Sequence, residues 1–226
     1  MLDFHKHLNF IGEWLKHYQP DYYSALQPGL SRSELESFLE PLPFLLPTEL
    51  YELYQWHDGM MPLDIGTDIF DGSPYQLFPG YTFNPIQDAI DLRSEIADDV
   101  GALLLEKMRD EDGIWIEHSG ILNNYFLPIF TLDCKEHILI FGTKDKFEVS
   151  PLFRFLSEGD LNFWYDDLAS MMQTISACYQ VGAYYNFEYV DGEKEIRCNE
   201  KLAEEIRIQY NPNAISILNE IGNIDS

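Results

Sequence analysis

Between Leu46 and Gly59 the chain reads Leu-Pro-Thr-Glu-Leu-Tyr-Glu-Leu-Tyr-Gln-Trp-His-Asp-Gly, and few local structures accommodate that order. Pro47 suits the first turn of a helix, where its missing N–H would have no intrahelical partner. Leu50, Leu53, Tyr54 and His57 recur at three- and four-residue spacing, so the segment predicts a short helix with one apolar face. Gly59 is expected to end it in the left-handed conformation, with Asp58 turning the chain outward. Trp56, a large amphipathic ring beside that turn, is either core or a binding anchor. His57 and Asp58 are an acid–base pair at a helix end or, more simply, a histidine satisfying a buried backbone group beside a turn-forming carboxylate.

The flanks supply helices before this segment and strands after it. Phe4, Leu8, Ile11, Leu15 and Tyr18 predict an amphipathic helix ending before Pro20. The stretch holding Pro20, Pro28 and Gly29 reads as a loop. Ser31 and Glu34 have the spacing of a capping box, which opens a second short helix through Leu39, ended by Pro41 and Pro43. From Met60 to Tyr81, glycines and prolines punctuate short apolar runs, as in tight-turned strands. Asn84, Pro85 and Gln87 predict a capped helix start; Asp98, Asp99 and Gly101 are candidates to break it, with Leu103, Leu104 and Leu105 resuming as helix or as strand.

Asp110 to Gly113 is an acidic turn leading into a strand at Ile114 to Ile116, and its fit to a calcium loop is poor. Tyr125 to Leu132 and His137 to Phe141 predict a hairpin, with Pro128 implying an edge or a bulge. A short run, Phe147 to Phe155, follows. Asn162 is expected to cap a helix whose apolar face is Leu168, Met171, Met172, Ile175 and Tyr179, with Asp166 and Asp167 near its positive end. Beyond it lie an aromatic run (Tyr184, Tyr185, Phe187, Tyr189), an Asp191-Gly192 turn and a helix from Asn199 to Tyr210, which Asn211 and Pro212 stop.

The helix at Leu46–Gly59, the strands, the capped short helix, the strand with a Pro-hydrophobic pair and the final amphipathic helix together resemble the SMI/KNR cell-wall-assembly-regulator family of the SUKH superfamily. Within the helix, the matching positions are Pro47, Leu50, Leu53, His57 and Gly59. The resemblance covers about Leu46 to Tyr179. It implies an α+β fold, a twisted and mostly antiparallel sheet flanked by helices. The helices of residues 1–45 and an extension of residues 180–226 are expected to pack on it as one domain. One departure stands out: where many members carry a small-residue or Asp-centred strand, this chain has Ile138, Leu139, Ile140, Phe141 and Gly142.

Composition narrows the function. The 226 residues are 46% hydrophobic, enough for a sizeable core. With 14 Lys+Arg against 39 Asp+Glu the net charge is −25, which disfavours nucleic acid and anionic membranes and favours a protein partner with a basic surface. Cys134, Cys178 and Cys198 form no close pair, so neither a disulfide framework nor a zinc motif is signalled. Neither a secretory leader nor an apolar membrane span is evident, and a cytoplasmic location is expected.

Catalysis and cofactors are not signalled either. The chain has no nucleophile elbow, phosphate loop or dinucleotide fingerprint. His5, His7, Glu13 and His17 could in principle hold a metal, but they read better as the solvent face of the first helix. The resemblance implies a non-catalytic interaction protein. In bacteria that means an immunity protein neutralising a polymorphic toxin by direct binding, and in fungi a regulator or scaffold of wall synthesis. An enzyme of unrecognised type is the further alternative. Trp56, Asp58 and Tyr81 are the candidate partner-binding residues.

Overall fold

The computed structural model describes residues 2–61, 75–109, 125–132, 135–144 and 150–214. The expected strands around Ile69 and at Ile114 to Ile116, the start of the run at Phe147, Cys134 and the last residues of the extension lie outside them.

A five-stranded antiparallel sheet organises the molecule: β3 (Thr82–Phe83), β4 (Phe126–Leu132), β5 (Glu136–Phe141), β6 (Leu152–Leu156) and β7 (Asp160–Tyr165), hydrogen-bonded in sequence order. Its central strands are covered on both faces. Ile138 and Ile140 enter one apolar cluster while Leu139 and Phe141, alternating with them, enter the other. That double burial is why β5 reads as an uninterrupted apolar run instead of alternating with polar residues. Pro128 sits at a register shift between Pro128 and Phe130, so the bulge alternative holds and β4 is interior.

Helix α1 (Leu2–Tyr18) buries Phe4, Leu8, Ile11 and Leu15 in the first cluster, whereas Tyr18 is exposed and not on the buried face. The stretch expected to be a loop forms a short helix, α2 (Pro20–Ala25), and a strand, β1 (Leu26–Pro28). Pro20 opens that helix instead of merely ending the one before it. Helix α3 (Arg32–Leu39) begins with the expected capping box, Ser31 with Glu34.

Helix α4 (Thr48–Trp56) is the predicted signature helix with both ends moved. Pro47 is extended (ψ 157°) and stands just before the first turn. His57 is also extended and starts β2 (His57–Met60), so it is not part of the helical face. Gly59 does adopt a positive φ, 72°, but inside β2 and not as the helix cap. Strand β2 pairs with β1, which explains the early end of the helix: the chain leaves it to join a strand formed by the supposed loop.

Helix α5 (Ile86–Arg109) runs through Asp98, Asp99 and Gly101 without a break and covers the second face, where Val100 and Leu104 meet Phe126, Phe141 and Phe153. Helix α6 (Leu168–Val181) lies on the first face. Its cap is Asp167, in a reciprocal capping box with Ser170. Asn162, expected in that role, sits within β7: the aromatic run before Asp166 extends the sheet instead of opening the helix.

The C-terminal segment continues with a hairpin, β8 (Tyr184–Glu188) and β9 (Lys194–Cys198), and then α7 (Glu200–Tyr210), capped by Asn199. Asn211 is fully buried and ties this segment to α6. Its side-chain oxygen accepts from Asp166 N at 3.0 Å, and its amide donates to Thr174 Oγ1 at 3.0 Å.

Candidate functional site

The predicted site residues separate into two neighbourhoods. Trp56 is half-buried against α1, close enough that a Cβ on Gly12 would lie 3.2 Å from its ring, and it meets the His57 ring edge-on at 4.5 Å. His57 Nδ1 donates to Gln27 O at 2.7 Å, adding a side-chain tie between the start of β2 and β1. Burial lowers the His57 pKa and the Gln27 carbonyl partly offsets that. Pro47, Leu50 and Leu53 belong to the same region: Leu50 and Leu53 are fully buried in the first cluster.

Asp58 turns towards α5. Its Oδ1 accepts the Ile86 N–H at 2.9 Å, in the first turn of that helix. This is the job the sequence assigned to Asn84, whose amide instead donates to Pro128 O at 2.9 Å and Thr131 Oγ1 at 2.8 Å on β4. Asn84 lies at the end of β3, so strand pairing aims its side chain along the sheet and leaves the helix start to a carboxylate from β2. Burial raises the Asp58 pKa while the Ile86 N–H opposes the rise. Replacing Asp58 by alanine should therefore destabilise the fold by about 1 kcal/mol, the usual loss of a helix cap. Urea midpoints of the two proteins measure this, and an unchanged midpoint would show that the cap is dispensable.

Tyr81 lies elsewhere, on the rim of a cleft of about 500 Å³ between the sheet and α7. Its ring stacks on Phe78 at 4.7 Å and its hydroxyl donates to Glu136 Oε1. Glu136, 6% exposed, is gripped from the other side by Arg154, whose Nη2 donates to Glu136 Oε2 at 2.6 Å. That bond raises the Arg154 pKa further. The Arg154 guanidinium lies 4.9 Å from the Trp164 ring, and Arg207 approaches the same ring at 4.0 Å. Arg207 in turn donates to Glu204 through Nε at 2.8 Å and Nη2 at 2.6 Å, and to Trp164 O at 2.9 Å.

The elements explain this convergence. Glu136, Arg154 and Trp164 stand on adjacent strands and face the side of the sheet that α7 closes, while α7 contributes Glu200, Glu204 and Arg207. Each guanidinium is held by a carboxylate and by an aromatic face, which makes the cleft rigid and charge-compensated. Cys198 also borders it, but burial raises its thiol pKa, so the thiol is protonated at neutral pH and is a poor nucleophile. No histidine is present among the described residues that line the cleft. The arrangement presents aromatic faces and paired charges to the cleft. Of its residues the sequence reading found only Tyr81. Arg154, between Phe153 and Phe155 in a chain with 14 Lys+Arg, was the available signal, since a lone cation in an apolar run needs a buried partner.

Among the described residues, no group of three or more His, Cys, Asp or Glu side chains is placed to hold a metal, and no helix is long and apolar enough to cross a membrane. His5 lies 3.7 Å from Glu52 on α4.

No curated protein sequence matches the chain. A family model, that of the SMI1 / KNR4 family (SUKH-1), matches residues 29–174. The match takes in α3 through the first half of α6, including the whole five-stranded sheet, the Leu46–Gly59 segment and the sheet side of the cleft. It begins earlier than the resemblance read from sequence and ends within α6. By sequence pattern, element order and this match, the chain belongs to the SMI1 / KNR4 family (SUKH-1).

Proposed function

We propose that this protein works without catalysis, by binding another protein, and that its partner is a polymorphic toxin that it neutralises in the cytoplasm. The observation that carries this reading is family membership over residues 29–174, the part of the chain that forms the sheet. The chemistry of the cleft supports it, because its arginines and their carboxylates are already committed to one another. Cys178, whose thiol burial pushes up to about 12, and Cys198 are free thiols, in keeping with a reducing compartment. The net charge of −25 favours a basic partner such as a nuclease-type toxin. Tyr81, on the rim of the cleft, is the anchor we retain from the sequence reading.

The test is co-expression with the product of a toxin gene adjacent to this one. Restored growth and a purified stoichiometric complex are the expected results. Loss of toxicity without a complex, or no protection at all, would overturn the reading in favour of a regulatory or scaffold role. In the purified complex, association should slow markedly as added salt shrinks the Debye length from about 30 to about 10 Å, with dissociation little changed. Stopped-flow mixing measures both rates, and a salt-independent association rate would remove the electrostatic part.

A further inference from the structure

Half of the large apolar side chains that the described residues leave exposed fall between 181 and 190: Val181, Tyr185, Tyr189 and Val190. Three of them belong to the β8–β9 hairpin or its turn, beyond the last residue that the family model matches. The hairpin is firmly seated. Successive residues of a strand point to opposite faces, and here the inward set is Tyr184 and Ile196, both buried, with Asn186 accepting a hydrogen bond from Gln19 Nε2 at 2.7 Å.

The outward set is Tyr185, paired with Arg197, and Phe187, paired with Glu195. Arg197 lies 3.5 Å from the Phe187 ring centre and 5.2 Å from that of Tyr189, and it donates to Tyr189 OH at 2.9 Å. Phe187 and Tyr189 are thus held in place before any partner arrives, so these two rings have little side-chain freedom left to lose on binding. Beside them the turn carries two carboxylates, Asp191 and Glu193, while Glu195 is paired with Arg197 on the same face and Glu188, on the inward set, with Lys194. Tyrosine and arginine at the centre with charge at the rim is the composition of a protein-binding hot spot. Arg197 already shows that these rings receive a guanidinium.

We propose that the outward face of the C-terminal hairpin docks a basic protein partner, its tyrosines seating an arginine- or lysine-bearing segment beside the turn carboxylates Asp191 and Glu193. The proposal rests on the protein-binding reading above and adds the location, in a part of the chain outside the matched family region. Charge complementarity selects the occupant: a second copy of this chain would bring −25 against −25, whereas a basic surface is attracted.

The test is an NMR titration of the isotopically labelled full chain with a short synthetic peptide that alternates arginine with leucine, beside its glutamate–leucine counterpart. Amide shifts concentrated on residues 184–198, and seen only with the arginine peptide, are expected. The double variant Tyr185→Ser, Tyr189→Ser should bind that peptide at least about tenfold more weakly, as loss of a hot spot does, with the dispersion of the remaining amides unchanged. Single variants Tyr185→Phe and Tyr189→Phe, which keep the rings, should bind nearly as the parent does. Absence of binding, shifts spread over the acidic surface at large, or undiminished binding by the double variant would each overturn the proposal. A toxin that binds the double variant undiminished would remove this surface while leaving the protein-binding function standing.

Discussion

Replacing Gly59 by valine should cost the protein about 2 to 6 kcal/mol, a large part of the 5 to 15 kcal/mol by which a typical domain is stable. Two effects add. Gly59 has a φ of 72°, which strains a β-branched residue by about 1 to 3 kcal/mol. A Cβ built there would also lie 2.3 Å from Pro85 N and 2.6 Å from Asn84 C, so the backbone leading into α5 must retreat, at a further cost of about 1 to 3 kcal/mol. Retreat of that backbone would also pull Ile86 away from the Asp58 carboxylate that caps it. Gly182 is a built-in comparison. Its φ is 75°, but nothing lies within 4 Å of a Cβ placed on it, so Gly182→Val should lose only the strain. Urea unfolding of both variants separates the terms. Equal losses would mean that the close approach of β2 to the Asn84–Pro85 corner contributes nothing.

That corner also shows what the sequence carried and what it could not. The Asp-Gly pair was legible as a turn signal, and the left-handed conformation at Gly59 is present. Its purpose was not legible, because the partner of both residues is the start of a helix that lies far along the chain. The same distance hides from the sequence that Asn84 bonds to β4 and that the stretch holding Pro20, Pro28 and Gly29 forms α2 and β1: β1 exists only because β2 pairs with it. Local rules succeeded where the deciding contact was local, as in the Ser31–Glu34 capping box, the apolar face of α6 and the bulge at Pro128. They failed at Asn162, where Leu161, Phe163 and Tyr165 face the cores as strand residues and outweigh the capping preference of the residue between them. The cleft was least legible of all. Its arginines and carboxylates come from β5, β6 and α7, and only pairing across the sheet brings them together.

Glu49 is a second case of a residue whose partner is remote, and it predicts a pH dependence. As an acid in the first turn of α4 it suits the positive end of its own helix. In the folded protein its carboxyl instead reaches the start of α6, where the Leu168 and Ala169 N–H groups favour its charged form. Burial dominates, however, and with the Asp167 and Glu52 carboxylates nearby it raises the Glu49 pKa from 4.5 to about 7. Oε2 is buried with no hydrogen-bond partner. Glu52 is itself beside His5 of α1, so among the described residues the charges that act on Glu49 are Asp167, at the cap of α6, and Glu52 of α4.

The folded pKa lies above the unfolded one, so the folded state holds this proton more tightly. The resulting stability is fully present below pH 4.5 and is lost as pH rises through about 7. His137 acts at the other end of the scale. Buried beside Thr131, its pKa is lowered to about 4, so its contribution is present above the ordinary 6.5 and is lost as pH falls. Glutamine at position 49 cannot titrate, yet its side-chain oxygen can still accept from the α6 amides. Glu49→Gln should therefore be more stable than the parent by about 3 kcal/mol near pH 8.5 and within about 1 kcal/mol of it near pH 5, with the His137 contribution unchanged. Urea unfolding across that range, read as the difference between the two proteins at each pH, isolates Glu49 from every other titrating group. A difference that stays constant with pH would show that Glu49 is already ionised and solvated in the folded state, and that α4 and α6 meet without a strained carboxylate between them.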